Sequence, residues 1–146
     1  MGVMYSVFPL QSELCDWLDE QGVVWPEVPS RNPTLAELKA AIARVPDLQS
    51  EASAEVLGQR WSNLLTQTTS GAKRPWCMLQ IIALQERENE FYVENGDPVL
   101  ILQLLAQLCE STGPLVLITD AGDIPLLVQA GDDAQELFDN WGSEEH

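Results

Sequence analysis

The sequence predicts an α+β domain in which helices pack on a mainly antiparallel sheet. Three observations support this fold class. Short runs of β-branched and aromatic residues alternate with segments whose apolar residues have helical spacing. Two pairs of these runs are separated by short polar turns, as in antiparallel hairpins. One long apolar segment has the length of a buried helix. We therefore expect residues 1–146 to form a single domain, in which residues 76–142 build two strand-strand-helix units.

The first 75 residues are predicted to be mostly helical after an N-terminal strand at residues 3–8. Ser12 is expected to cap a first helix, which ends at Gly22. The loop at residues 22–33 contains three prolines, and these exclude a helix there. We expect three residues of this loop to point inward: Val23, Val24 and Trp25.

A second helix is predicted from a capping box formed by Thr34 and Glu37, whose side chains each accept a hydrogen bond from a backbone N–H at the helix start. Pro46 is expected to close this helix. The following segment is ambiguous, because its apolar residues have helical spacing while residues 66–69 would suit a strand. We predict a helix at residues 53–67.

The first strand-strand-helix unit is predicted to pair residues 77–84 with residues 91–93 as a hairpin. Asp97 then caps a helix that has Pro98 at its first position and ends near Ser111. This helix is apolar on nearly every side. It should therefore be buried against the sheet.

The second unit is predicted to pair residues 114–119 with residues 124–129 across a turn at residues 120–123. Asp and Gly favour such a turn, through local hydrogen bonding and positive φ respectively. Gly131 and Asp132 are expected to cap the last helix. Three residues of that helix are predicted to be buried: Leu137, Phe138 and Trp141.

The formal charge of −16 arises from 23 acidic and seven basic residues, and it is unevenly distributed. Residues 88–146 contain thirteen acids and no Lys or Arg. Because this stretch is also rich in Val, Leu and Ile, it is predicted to fold, unlike a disordered acidic tail. A folded acidic surface repels nucleic acid and anionic lipid and attracts basic proteins. We therefore expect a basic protein partner and no nucleic acid or membrane. The oligomeric state is left open.

The three cysteines are widely spaced and are expected to be buried and reduced: Cys15, Cys77 and Cys109. An odd count without CxxC spacing does not fit a disulfide framework or a zinc site. The first ten residues lack the basic residues of a signal peptide. No segment reaches the roughly 20 apolar residues that a bilayer requires. These features together predict a cytoplasmic protein.

No catalytic signature can be read from the residues, and no cofactor is predicted. His146 is the single histidine, whereas Ser and Cys nucleophiles usually need a His base. Ser70 and Lys73 have SxxK spacing but no companion motif, and no glycine-rich phosphate loop is present. Four aspartates are weak candidates for a metal site, because turn and cap roles also explain them: Asp120, Asp123, Asp132 and Asp133.

Three functions are compatible with these features. The sequence favours a non-enzymatic binding protein that docks a basic protein, such as an inhibitor or immunity-type protein. The second is a carboxylate-based enzyme or a small-ligand or metal-binding domain, and the third is a scaffold subunit whose charge serves only solubility. The predicted partner-binding residues are glutamates near the first hairpin and tryptophans beside prolines: Glu86, Glu88, Glu90, Glu94, Trp25 and Trp76.

Overall fold

The structure of the chain is a computed structural model, and it describes residues 4–52, 61–68, 74–81, 91–120 and 124–141. The strands in these ranges are β1 Met4–Pro9, β2 Leu48–Ala52, β3 Trp61–Gln67, β4 Trp76–Ile81, β5 Phe91–Gly96, β6 Leu115–Thr119 and β7 Leu126–Val128. The helices are α1 Ser12–Glu20, α2 Leu35–Arg44, α3 Pro98–Thr112 and α4 Ala134–Asn140. The strands form one sheet in the order β2-β3-β4-β5-β1-β6-β7. Every neighbouring pair is antiparallel, which confirms the predicted fold class.

Helix α3 is the centre of the core, as its apolar sequence predicts. Asp97 caps it by accepting hydrogen bonds from the N–H groups of Val99 at 2.8 Å and Leu100 at 3.3 Å, and Pro98 occupies the first helical position. The helix contacts α2 on one side and α4 on the other, and it packs on strands β4 to β7. Nine of its side chains are buried: Leu100, Ile101, Leu102, Leu104, Leu105, Ala106, Leu108, Cys109 and Thr112.

Side chains alternate along each strand between the two faces of the sheet. The face that packs against α3 is called the covered face, and it includes the buried residues Tyr5, Val7, Leu79 and Val93. The opposite side of the sheet is called the open face. At the β6 end the open face is not exposed, because Val116 belongs to it by alternation and is nevertheless fully buried.

The loop before α2 is tied to two helices by Arg31. Its guanidinium donates to both carboxylate oxygens of Glu37, at 2.7 and 2.6 Å, and to the backbone carbonyl of Ser111 at the end of α3. Glu37 also completes the predicted capping box, since its carboxylate accepts from the N–H of Thr34 at 2.9 Å while the Thr34 hydroxyl accepts from the N–H of Glu37. The hydrogen bonds from Arg31 are the main reason that the pKa of Glu37 is lowered to about 2.

The predicted helix at residues 53–67 is wrong over residues 61–67, which form strand β3; residues 53–60 lie outside the described ranges. The strand pattern is hidden because polar side chains occupy the covered face. Asn63 is buried and accepts a hydrogen bond from Ser50 at 2.7 Å. Gln67 is also buried and donates to Gln103 of α3 at 2.8 Å. The first 75 residues therefore contain two strands, β2 and β3, that the sequence does not predict.

Two details near α1 also need correction. The N-cap is Gln11, which makes no side-chain capping bond, and Ser12 is the first helical residue. The helix does end before Gly22, whose φ of 76° favours glycine. In the following loop Val24 is 90% exposed instead of pointing inward. Its neighbours Val23 and Trp25 are half-buried, so Val24 is the one residue of the three that faces solvent.

The C-terminal half follows the predicted strand-strand-helix order twice, as β4-β5-α3 and β6-β7-α4. The last helix is capped by Asp133, which accepts from the N–H of Glu136 at 3.0 Å. Asp132, one position before this cap, was predicted for the role. Its carboxylate instead accepts a hydrogen bond from the N–H of Gln129. Ala134, Leu137 and Trp141 form the inward stripe of this helix, and Phe138, which was predicted to be buried, lies at its edge and is exposed. Leu137 and Trp141 pack against the core.

A bulge interrupts the pairing of β4 with β5. Met78 pairs with Glu94 and Cys77 pairs with Gly96, so that Asn95 is the extra residue. Asn95 has a φ of 58° and Gly96 a φ of 121°. A Cβ atom on residue 96 would lie 2.6 Å from the Cα of Cys77, which is closer than real Cβ atoms approach. Glycine is therefore required at this position.

Candidate partner-binding face

Five residues from five neighbouring strands form one row across the open face. In order from β2 to β1 they are Glu51, Leu64, Met78, Glu94 and Met4. Directly paired residues on one face have Cβ atoms about 5 Å apart, so neighbours in this row can contact each other. The row therefore places two apolar side chains between two carboxylates.

The rows on either side of this one are mixed. On one side lie Gln49, Thr66 and Trp76, and on the other lie Ser62, Gln80, Tyr92, Ser6 and Ile118. The Ser62 hydroxyl donates to the Gln80 side-chain oxygen at 2.6 Å, so this pair is already satisfied within the sheet. Three large apolar side chains of the open face are exposed: Trp76 at 45%, Met4 at 41% and Phe8 at 38%.

The charged residues within the described strands all have the same sign. No Lys or Arg occurs in the seven strands that the structure describes, whereas Glu51 and Glu94 both belong to the open face. Most cations of the described ranges lie in or just before α2, and Arg44 donates to the Gln107 carbonyl of α3 at 3.0 Å. Arg74 is the described cation nearest to the face along the chain, two residues before Trp76.

The structure brings together some of the predicted binding residues and separates others. Glu94 and Trp76 share the open face. Trp25 instead lies in the loop after α1, where its ring N–H donates to Asp19 at 2.9 Å. The three other predicted glutamates lie outside the described residues: Glu86, Glu88 and Glu90.

Sequence reasoning missed four residues of the row, Met4, Glu51, Leu64 and Met78, and also the exposed Phe8 of β1. The sequence of β1 does contain a sign of an apolar open face, because Met4 and Phe8 alternate with Tyr5 and Val7. A strand that is apolar at both alternating positions has an apolar side chain on each face, and only one of those faces meets the core.

The weak candidates for a metal site have structural contacts. Each of the three described candidates accepts a hydrogen bond from a backbone N–H: Asp120 from Met4, Asp132 from Gln129 and Asp133 from Glu136. Asp123 lies outside the described residues. Within the described ranges, no three side chains of metal-binding type come together.

The cysteines are free thiols in buried positions, as predicted. Burial raises the pKa of Cys77 and the pKa of Cys109 to about 12. The pKa of Cys15 is also raised, chiefly by burial and then by the nearby Asp19. Nucleophilic attack requires the thiolate, so none of these thiols is poised to react in the folded protein.

A cleft of about 560 Å³ lies between the loop after α1 and the β7 and α4 end of the sheet. Trp141 lines it and donates from its ring N–H to the carbonyl of Ile124 at 2.7 Å. The described residues that line this cleft are all uncharged. A second cleft of about 480 Å³ shares part of that loop and contains two acids, Asp19 and Glu27, with Trp25. Both acids are exposed to solvent, and Asp19 accepts the hydrogen bond from the Trp25 ring.

In the described part of the chain, no helix combines the length and the apolar character needed to cross a membrane. Comparisons of the chain with protein-family models, with curated proteins and with solved structures give no match.

Proposed function

We propose that this protein is a non-enzymatic binding protein that docks a basic protein. An inhibitor or immunity-type protein that neutralises its partner fits this size and charge. The proposal is supported above all by a net charge of −16 together with a sheet whose described strands contain no basic residue. A basic partner can approach such a sheet without meeting a like charge from its strands.

The charge would act mainly on the rate of association. Complementary potentials steer two proteins into contact and raise the association rate constant above the usual 10⁵ to 10⁷ M⁻¹ s⁻¹ by about one to three orders of magnitude. Salt screens this effect, because the Debye length falls from about 10 Å at 0.1 M to about 3 Å at 1 M. Association should therefore be strongly dependent on ionic strength.

Two observations favour binding over the other functions. A scaffold whose charge serves only solubility needs no apolar surface, yet Trp76, Met4 and Phe8 are exposed on the same sheet as Glu94. A carboxylate-based site needs acids that are free to react, whereas the aspartates nearest to one another in sequence cap helices or accept backbone hydrogen bonds.

The test is capture from a native lysate by the immobilised chain at about 0.1 M and about 1 M salt. We expect a basic protein to be retained at the lower concentration and released at the higher one. A variant that neutralises two acids, Glu51→Gln with Glu94→Gln, should retain less of it. The matched control is Glu13→Gln with Glu110→Gln, which removes the same charge from exposed helix positions. The proposal is wrong if no basic protein is retained, or if retention is the same at both salt concentrations.

A further inference from the structure

We infer that the open face is the docking surface, and that its partner presents an apolar side chain flanked by lysine or arginine. This inference rests on the proposed function and adds the place and the pattern of contact. It concerns the part of the open face that runs from β2 to β1, where Glu51, Leu64, Met78, Glu94 and Met4 form their row.

The apolar part of this surface has the composition of an interface. Trp76, Met4 and Phe8 are exposed, and Leu64 and Met78 are half-buried. Aromatic residues and Met are enriched in protein interfaces, and Trp is the residue type most often found to dominate the binding energy. The solvated face of an antiparallel sheet is ordinarily polar. These side chains therefore gain burial when a partner covers them.

The acidic part of the surface has a defined spacing. Glu51 is on β2 and Glu94 is on β5, with Leu64 and Met78 on the two strands between them. Three strand spacings of about 4.8 Å separate the two strands, so the Cα atoms of the two glutamates are about 14 Å apart. A partner with two basic side chains at that separation and an apolar side chain between them would match the row.

The charge also argues against a second copy of this chain as the occupant. Two copies joined through their open faces would place Glu51 and Glu94 of each in a shared acidic layer. The described strands supply no Lys or Arg to neutralise it. Juxtaposed like charges disfavour an interface. A basic protein removes this repulsion and turns the same carboxylates into favourable contacts.

The probe for this test is the basic protein that high salt releases from the immobilised wild-type chain. Its affinity is measured for Trp76→Ala and for Met4→Lys, which places a positive charge on the face. We expect Trp76→Ala to weaken binding by about 30-fold, as loss of a dominant contact does. Met4→Lys should also weaken it, chiefly through a slower association rate. The matched control is Phe138→Ala, which removes a comparably exposed aromatic ring (40%) from α4. Its affinity should stay within about 3-fold of the wild type.

The outcomes separate this inference from the proposed function. If the wild type retains no basic protein in a salt-dependent way, the proposed function fails and this inference fails with it. If a basic protein is retained but both face variants bind it like the wild type, the inference is overturned while the proposed function stands. Light scattering gives the third outcome, because a wild-type dimer that Trp76→Ala dissociates would show that a second copy occupies the face. Urea unfolding of each variant establishes that it is folded. If Trp76→Ala does not fold, the affinity of Met4→Lys alone decides whether the open face is the docking surface.

Discussion

Replacing Glu37 with Gln should remove a pH-dependent part of the stability, because this carboxylate holds Arg31 against two helices. Its pKa falls from the ordinary 4.5 to about 2, mainly through the hydrogen bonds that Arg31 donates. A complete shift of this size corresponds to about 3.4 kcal/mol of unfolding free energy, at about 1.4 kcal/mol per pKa unit. Solvent screens the pair, since 40% of the Arg31 side chain and 21% of the Glu37 side chain are exposed. We therefore expect a loss of about 1 to 2 kcal/mol near pH 7.

The direction of the pH dependence follows from the lowered pKa. The charged form of the Glu37 carboxylate is favoured more in the folded protein than in the unfolded chain. The stabilisation is therefore present above about pH 4.5 and is lost as the pH falls towards about 2. The difference in stability between the wild type and Glu37→Gln should thus fall below half of its neutral value by about pH 3.

The assay is urea unfolding followed by tryptophan fluorescence at about pH 7 and about pH 3. Glu110→Gln is the control, because it makes the same change of charge at an exposed position of α3. Its stability should stay within about 0.5 kcal/mol of the wild type at pH 7. The reasoning is refuted if Glu37→Gln and the wild type differ by the same amount at both pH values, or if Glu110→Gln loses as much stability.

Two further predictions concern the core. Leu102→Ala and Leu105→Ala should each lower the unfolding free energy by about 2 to 5 kcal/mol, because both side chains are fully buried in α3; urea unfolding measures this, and losses below about 1 kcal/mol at both sites would contradict the packing. A thiol reagent at about pH 8 should modify Cys77 and Cys109 only after unfolding, because burial raises the pKa of both thiols to about 12. Rapid modification of these two cysteines in the native protein, detected by mass spectrometry, would contradict it.

The parts of the fold that the sequence predicts are those set by local chemistry. Thr34 with Glu37, and Asp97 with Pro98, determine helix starts through contacts within one turn, and both starts are confirmed. Strand β3 was missed because two of its inward residues, Asn63 and Gln67, are polar and find hydrogen-bond partners elsewhere in the fold. Such partners are distant in sequence. The spacing of apolar residues along the chain therefore does not reveal these hydrogen bonds.

The candidate site was only partly predictable for a similar reason. Trp76 and Glu94 could be named as surface residues from their neighbours in sequence. That they share a face with Met4 and Phe8 depends on β1 lying between β5 and β6, which is a non-local feature of the sheet order. Trp25 lies outside the sheet, in the loop after α1.

The bulge at Asn95 and Gly96 has a further effect on Trp76. Register gives the indole one cross-strand neighbour, Thr66 of β3. On the β5 side the chain has already turned towards α3, with the N–H of Asp97 donating to the Trp76 carbonyl at 2.8 Å. The described register therefore gives Trp76 no partner in β5. A Cβ atom at position 96 would lie too close to the carbonyl oxygen of Trp76, so the backbone that carries the indole would have to shift. The shape of this surface therefore depends on a residue that contributes no side chain to it, and a mutational scan confined to the visible patch would overlook it.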